Sequence, residues 1–186
     1  MLRCTRREQR LSEHAFTLWL TGYSGAGKTT MAHAIAASLR SHGRRVECLD
    51  GDELRAAIGR GLGFSREDRM ENIRRIVYIS GLLARNGIIP IVSVISPYRD
   101  MRAYAREQLA PFIEVFVDCP LDECERRDPK GLYARARQGA IPMFTGVSDV
   151  YEPPEAPEIV LPTDRCSVEE GVQLALNRLK ELSLLT

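Results

Sequence analysis

The sequence predicts an α/β fold, a central parallel sheet flanked by helices. Three observations carry that expectation. Apolar runs of strand length alternate with amphipathic stretches of helical length from about residue 15 onward. The run Ile88 to Ile95 is almost wholly apolar and largely β-branched, which suits a strand covered on both faces. A glycine-rich turn links the first apolar run to the first amphipathic helix.

Taken in order, residues 1–14 are polar and charged and read as a loose N-terminal arm, with the domain proper at 15–186. Phe16 to Leu20 is the first strand. After the glycine-rich turn, Met31, Ile35 and Leu39 repeat at helical spacing, and His42-Gly43 ends that helix. Val46 to Leu49 is the second strand. Ser65, with Asp68 three residues on, caps a helix whose stripe is Ile73, Ile76, Val77, Ser80 and Leu83, and Asn86-Gly87 stops it. The third strand, Ile88 to Ile95, carries Pro90 near its start, where a missing N–H is best tolerated. Tyr98 to Gln108 is a charged helix, Glu114 to Asp118 the fourth strand, and Leu121 to Arg127 a short helix. Residues 128–157 show little periodicity, and a long loop in a compact domain is usually a functional lid. Glu158 to Leu161 is the last strand. The capping box Ser167-Val168-Glu169-Glu170 then opens a closing helix along Val168, Val172, Leu176 and Leu179.

Composition excludes several function classes. The length of 186 residues fits one domain with an elaborate lid. A net charge of +1 argues against a nucleic-acid coat or a polybasic membrane binder. No apolar run approaches a membrane span, and Met1 to Arg10 lacks the apolar core of a secretory signal. Five cysteines, none in a CxxC pair, read as reduced thiols of a cytoplasmic protein.

The turn itself, Gly22-Tyr23-Ser24-Gly25-Ala26-Gly27-Lys28-Thr29, fits GxxxxGK[ST] at every defined position, and Thr30 follows. Triphosphate charge has to be met by backbone N–H groups at a helix N-terminus, and glycines let the backbone wrap that closely. Lys28 is expected on the β- and γ-phosphates of a nucleoside triphosphate and Thr29 on Mg²⁺. The motif specifies the fold class further, as the three-layer P-loop NTPase type.

A phosphoryl transfer also needs a carboxylate at the acceptor. Asp50-Gly51-Asp52 follows the second strand, and Asp52 is the first choice as general base or metal ligand. Asp118 competes, because Val115-Phe116-Val117-Asp118 has a Walker B pattern; the preferred reading is a strand-end residue capping the next turn. Arg55, Phe64, Arg69 and Asn72 lie close enough in sequence to recognise an anionic acceptor with a planar base, and they also read as one charged helix face. Phe144, from the loop region, is either a second aromatic wall or a small packing anchor.

Together these segments resemble the adenylylsulfate kinase family over residues 14–165. The resemblance rests on the P-loop, the Asp-Gly-Asp with Arg55, Gly63-Phe64-Ser65 leading to Asp68-Arg69 and Glu71 to Arg75, and Ile95-Ser96-Pro97-Tyr98-Arg99. It rests also on Arg127 to Tyr133, Phe144-Thr145-Gly146 and Tyr151 to Pro154. It implies transfer of the ATP γ-phosphate to the ribose 3′-hydroxyl of adenosine 5′-phosphosulfate. It implies that Phe64 and Phe144 sandwich the acceptor adenine, and that Arg55 and Arg69 hold the phosphosulfate with Asn72 nearby. Asp52 sits by the 3′-hydroxyl and the metal, and Ile95 and Ser96 line the acceptor pocket. The lid spans about 127–147, with Leu132 lining the acceptor side and Lys130 near the transferred phosphate. Lys28, Asp52, Ser96 and Lys130 are the implied catalytic set, and Asp118 is demoted. Pro142-Met143 stands where a basic residue is common in the family. The resemblance further implies a homodimer and association or fusion with an ATP sulfurylase. Two alternatives stay open: another P-loop small-molecule kinase, and an inactive nucleotide-sensing module.

Overall fold

The computed structural model describes residues 15–185; the expected arm at 1–14 and Cys4 lie outside the described residues. The elements are β1 Thr17–Thr21, α1 Lys28–Ser41, β2 Val46–Asp50, α2 Gly51–Ile58, α3 Arg66–Arg85, β3 Ile89–Ser93, α4 Arg99–Gln108, β4 Phe112–Asp118, α5 Leu121–Arg127, α6 Leu132–Arg137, β5 Ile159–Pro162 and α7 Val168–Glu181. The five strands form one parallel sheet in the order β2-β3-β1-β4-β5. Register is set by pairs such as Leu18 with Ile91 and Ile113, Cys48 with Ile91, and Val115 with Ile159.

Successive side chains of a strand point to opposite faces, so a central strand must be apolar throughout. β1 is buried at every position. Leu18 and Leu20 pack with Met31, Ile35 and Leu39 of α1 and Leu176 and Leu179 of α7. Trp19 belongs to the opposite layer, with Ile73, Ile76 and Val77 of α3 and Met101 and Ala105 of α4. The three-layer α/β expectation is met.

Side-chain caps set several boundaries. Ser65 accepts from the N–H of Asp68, and Ser167 and Glu170 form the capping box. Two helices depart from the sequence reading. Asp50 accepts from the N–H groups of Asp52 and Glu53, so a helix, α2, starts immediately after β2. Inside the aperiodic segment, the Asp128 carboxylate accepts from Tyr133 N and Ala134 N at 3.1 Å each and starts α6. That helix buries Tyr133 and Ala136. The third strand ends at Ser93, two residues short of expectation. Val94 N still donates to Leu20 O at 3.2 Å, but the chain then leaves the ladder and Ser96 takes a φ of 40°. The fourth strand begins earlier, at Phe112.

A buried charge cluster ties this sheet edge together. Arg102 of α4 donates to Glu114 of β4 at 2.7 Å, to Ser96 O at 2.6 Å and to Glu152 O at 2.5 Å. Arg106 bridges Glu114 at 3.2 Å and Glu158 at 2.6 Å. Among the described residues Cys48, Cys119, Cys124 and Cys166 are free thiols, and no helix is long and apolar enough to cross a membrane.

Removing one partner of a buried ion pair leaves the other charge uncompensated. Glu114→Ala is therefore expected to lower the unfolding free energy in urea by about 3–5 kcal/mol. A loss under about 1 kcal/mol contradicts the role given to this cluster.

Candidate active site

One cavity of about 640 Å³ opens where β1, β2 and β3 end. Ligands collect at such an edge because the strands' C-terminal ends and the helix N-termini meet there. Ser24, Gly25, Gly27, Lys28, Thr29 and Thr30 line one part of it. Asp52, Arg55, Phe64, Arg69, Asn72, Ile95, Ser96, Lys130, Leu132 and Phe144 line the rest. Gly22, Tyr23 and Ala26 shape the loop from behind and are not part of the cavity wall.

The phosphate cradle follows from steric necessity. A Cβ on Gly22 would stand 2.5 Å from the Val117 carbonyl oxygen, and one on Gly25, at φ 77°, would stand 2.9 Å from that of Cys124. Only glycine lets the loop lie this close on β4 and α5. Gly27, at the start of α1, provides no side-chain cap. The first N–H groups of α1 thus lack a side-chain acceptor, the arrangement that suits an anion. Thr163 Oγ1 donates to Ala26 O at 2.7 Å and braces the loop from behind. That residue carries no motif signal in the sequence.

Lys28 Nζ donates to Gly22 O at 2.9 Å and Tyr23 O at 2.7 Å. Burial lowers its pKa to about 8, because carbonyl dipoles replace water poorly around a full charge. Thr29 Oγ1 donates to Asp50 Oδ2 at 2.7 Å. Partial burial opposes the charge on Asp50, but the hydrogen bonds from Thr29, Asp52 N and Glu53 N outweigh it and hold the carboxyl below its usual value. The structure thus brings Asp50, not Asp52, to the Thr29 hydroxyl. The Asp-Gly-Asp tripeptide carried that signal, and only the cap geometry separates its two acids. Asp52 is ion-paired to Lys130, which follows α5. That contact raises the Lys130 pKa. Asp118, the competing acid, stands 3.9 Å from Arg165 and is not in the cavity wall.

The other part of the cavity holds the expected acceptor residues. Arg55 donates to Gly63 O at 3.0 Å, and its guanidinium lies 4.4 Å from the Phe64 ring centre. Arg69 donates to Phe64 O at 2.9 Å and Met143 O at 2.6 Å. Asn72 is buried, and its Oδ1 has no hydrogen-bond partner among the described residues. Phe64 is 43 % exposed and Phe144 only 9 %. Phe144 meets Tyr133 edge-on at 5.0 Å. The two phenylalanines share the cavity but do not touch as a ring pair.

Ser96 is 3 % exposed. Its Oγ accepts from Trp19 Nε1 at 3.1 Å and donates to Thr21 Oγ1 at 3.3 Å. Thr21 donates in turn to Ile95 O at 2.6 Å and stands 2.9 Å from the Tyr151 hydroxyl. The Ser96 hydroxyl is thus already spoken for by protein partners.

A phosphate cradle, a hydroxyl with two carboxylates, and an arginine-rich aromatic wall in one chamber define a P-loop kinase of small molecules. The comparisons narrow the class. The family model for adenylylsulphate kinase matches residues 14–162. The adenylyl-sulfate kinase of Picosynechococcus sp. is 51 % identical over 176 residues, 95 % of this chain and 99 % of the relative. The Mycobacterium tuberculosis APS kinase, solved in complex with AMPPNP and APS, superposes with a TM-score of 0.86 at 44 % identity, covering 90 % of this chain and 98 % of that one. The hexameric APS kinase from Thiobacillus denitrificans matches at a TM-score of 0.72 and 32 % identity, over 97 % of this chain and 32 % of that longer one. The chain belongs to the adenylyl-sulfate kinase family.

Phosphate placed against Lys28 favours its charged form, so nucleotide binding above pH 8 must take up a proton that the free protein lacks. Calorimetry of AMPPNP binding at pH 8.5 in buffers of different ionisation enthalpy is expected to show this uptake, and Lys28→Met to abolish it. At pH 6.5, where free Lys28 is already charged, its share disappears. Equal uptake in the variant at pH 8.5 contradicts the assignment.

Proposed function

We propose that this chain carries out the reaction of its family, with the residues named below: the γ-phosphate of ATP moves to the ribose 3′-hydroxyl of adenosine 5′-phosphosulfate. The observation that carries this reading is the shared chamber. The cradle around Lys28 and the wall of Arg55, Arg69, Phe64 and Phe144 line one cavity, so donor and acceptor nucleotides can meet in one chamber.

Lys28 leaves the loop carbonyls for the β- and γ-phosphates. Asp52 receives the proton of the 3′-hydroxyl and Lys130 moves to the transferred phosphoryl group, since the pair is exposed and weakly held. Arg55 and Arg69 meet the phosphosulfate with Asn72 nearby, and the two phenylalanines face the adenine. Ser96 and Ile95 hold the wall at the end of β3. The buried bonding of Ser96 fits a positioning role and favours direct transfer.

Mg²⁺ fits this donor set: Thr29, Asp50 and Asp52 offer hard oxygen ligands. Bound Mg²⁺ supplies charge neutralisation on the phosphates. A cytoplasmic setting, a homodimer and association with an ATP sulfurylase as acceptor source complete the reading. The sensing alternative has no support in the site, where Lys28, Thr29, Asp52, Arg69 and Asn72 are all present.

Mass analysis of products from Mg·ATP with adenosine 5′-phosphosulfate, AMP or adenosine tests the proposal. The expected outcome is a 3′-phosphorylated product from adenosine 5′-phosphosulfate alone; phosphorylation of AMP or adenosine at a similar rate overturns the acceptor assignment. Phe64→Ala is expected to weaken acceptor binding by roughly 1–3 kcal/mol, the range of base–aromatic stacking. Acceptor affinity unchanged in that variant removes Phe64 from the site.

A further inference from the structure

Asp149 belongs to none of the motifs discussed above, yet behind the cavity wall it joins Arg69, Tyr98 and the turn that carries Phe144. Its side chain is 12 % exposed. Oδ1 accepts from the Tyr98 hydroxyl at 2.7 Å and from Val150 N at 2.9 Å. Oδ2 is buried without a hydrogen-bond partner among the described residues and lies 3.5 Å from Arg69 Nη2. A buried carboxylate oxygen is costly unless a cation faces it, and Arg69, itself 10 % exposed, is the cation present.

The same residue closes the turn that carries Phe144. The Phe144 carbonyl accepts from Val147, Ser148 and Asp149 N–H groups at 3.0–3.1 Å, and Gly146 N donates back to Asp149 O at 2.8 Å. This self-bonded turn is fastened to the body through the Asp149 carboxylate. Arg69 joins it from the other side through Met143 O and Phe64 O. With Nε and Nη2 so engaged, its Nη1 amino group has no protein hydrogen bond among the described residues. It is left to meet an anion in the cavity.

We infer that Asp149, steadied by Tyr98, is a positioning residue for acceptor binding: it sets the guanidinium plane of Arg69 and the seat of Phe144 before the acceptor arrives. This rests on the placing of Arg69 at the acceptor phosphosulfate proposed above. Asp149→Asn keeps the bond from Tyr98 but can set an amide N–H₂ against Arg69, so orientation and charge pairing are lost together. An interaction made equally in ground and transition states changes KM and leaves kcat alone.

Steady-state kinetics on the full chain test it. Asp149→Asn is expected to raise the acceptor KM about tenfold, with kcat and the KM for ATP within about twofold of the parent. Tyr98→Phe, which removes one hydroxyl and stays apolar, moves the same constant in the same direction by less. In an Arg69→Ala background, Asp149→Asn is expected to change the acceptor KM by about twofold at most, the remainder being its hold on the Phe144 turn, which marks action chiefly through Arg69. An unchanged acceptor KM in Asp149→Asn, equal rises in both KM values, or a full effect persisting without Arg69 each overturns the inference. An unchanged acceptor KM in Arg69→Ala alone shows instead that Arg69 is misplaced, and takes the positioning role with it. Should Asp149→Asn fail to fold, the Tyr98→Phe constants decide by the same criteria.

Discussion

The site depends on one constraint: positive charge must be gathered at a sheet edge and kept satisfied before any phosphate arrives. A cation withdrawn from water costs several kcal/mol unless something replaces the solvent. Each cation of the site accordingly rests on a protein acceptor. Lys28 sits on two loop carbonyls, Arg55 on Gly63 O and the Phe64 ring, Arg69 on two carbonyls beside Asp149, and Lys130 on Asp52. The resting contacts differ in strength as their burial differs. The exposed Lys130–Asp52 pair is weak and easily exchanged, whereas the Arg69 contacts are buried and hold their geometry.

The parallel sheet makes this possible. With β1 and β3 adjacent, the P-loop after one and the Ser96 turn after the other emerge side by side. Arg102, buried against Glu114, then ties the Ser96 turn to the chain at Glu152. The hydroxyls of Ser96, Thr21 and Tyr151 form a closed set with Trp19 that stiffens the wall between the two ends of the cavity. Phosphoryl transfer asks for placement and charge more than for covalent participation, and this architecture supplies both.

How much of this was legible in the sequence follows from the range of each interaction. Helix caps and strand periodicity are local, so β1, α1, the Ser65 and Ser167 starts and the buried third strand could all be read directly. The P-loop carries its chemistry within eight consecutive residues. α2 and α6 are not legible in the sequence, because each lies in a stretch without apolar rhythm and its first N–H groups meet an aspartate: Asp50 in one case, Asp128 in the other. The end of β3 was overextended because apolar composition continues to Ile95 while the backbone turns away for Arg102 and Trp19, partners distant in sequence. Asp50 and Asp52 are neighbours with different tasks, and only the cap decides which reaches Thr29. The Arg69–Asp149 contact spans 80 positions, with no local pattern to announce it.

Under the proposed reaction two nucleotides are placed for one direct displacement, with Ser96 as part of the wall. The stereochemical course at phosphorus tests it most directly, using ATP made chiral at the γ-phosphate with oxygen isotopes. A single in-line transfer inverts configuration, which is the result expected of this chain. Net retention requires two successive displacements and therefore a phosphorylated protein group, and would contradict the account.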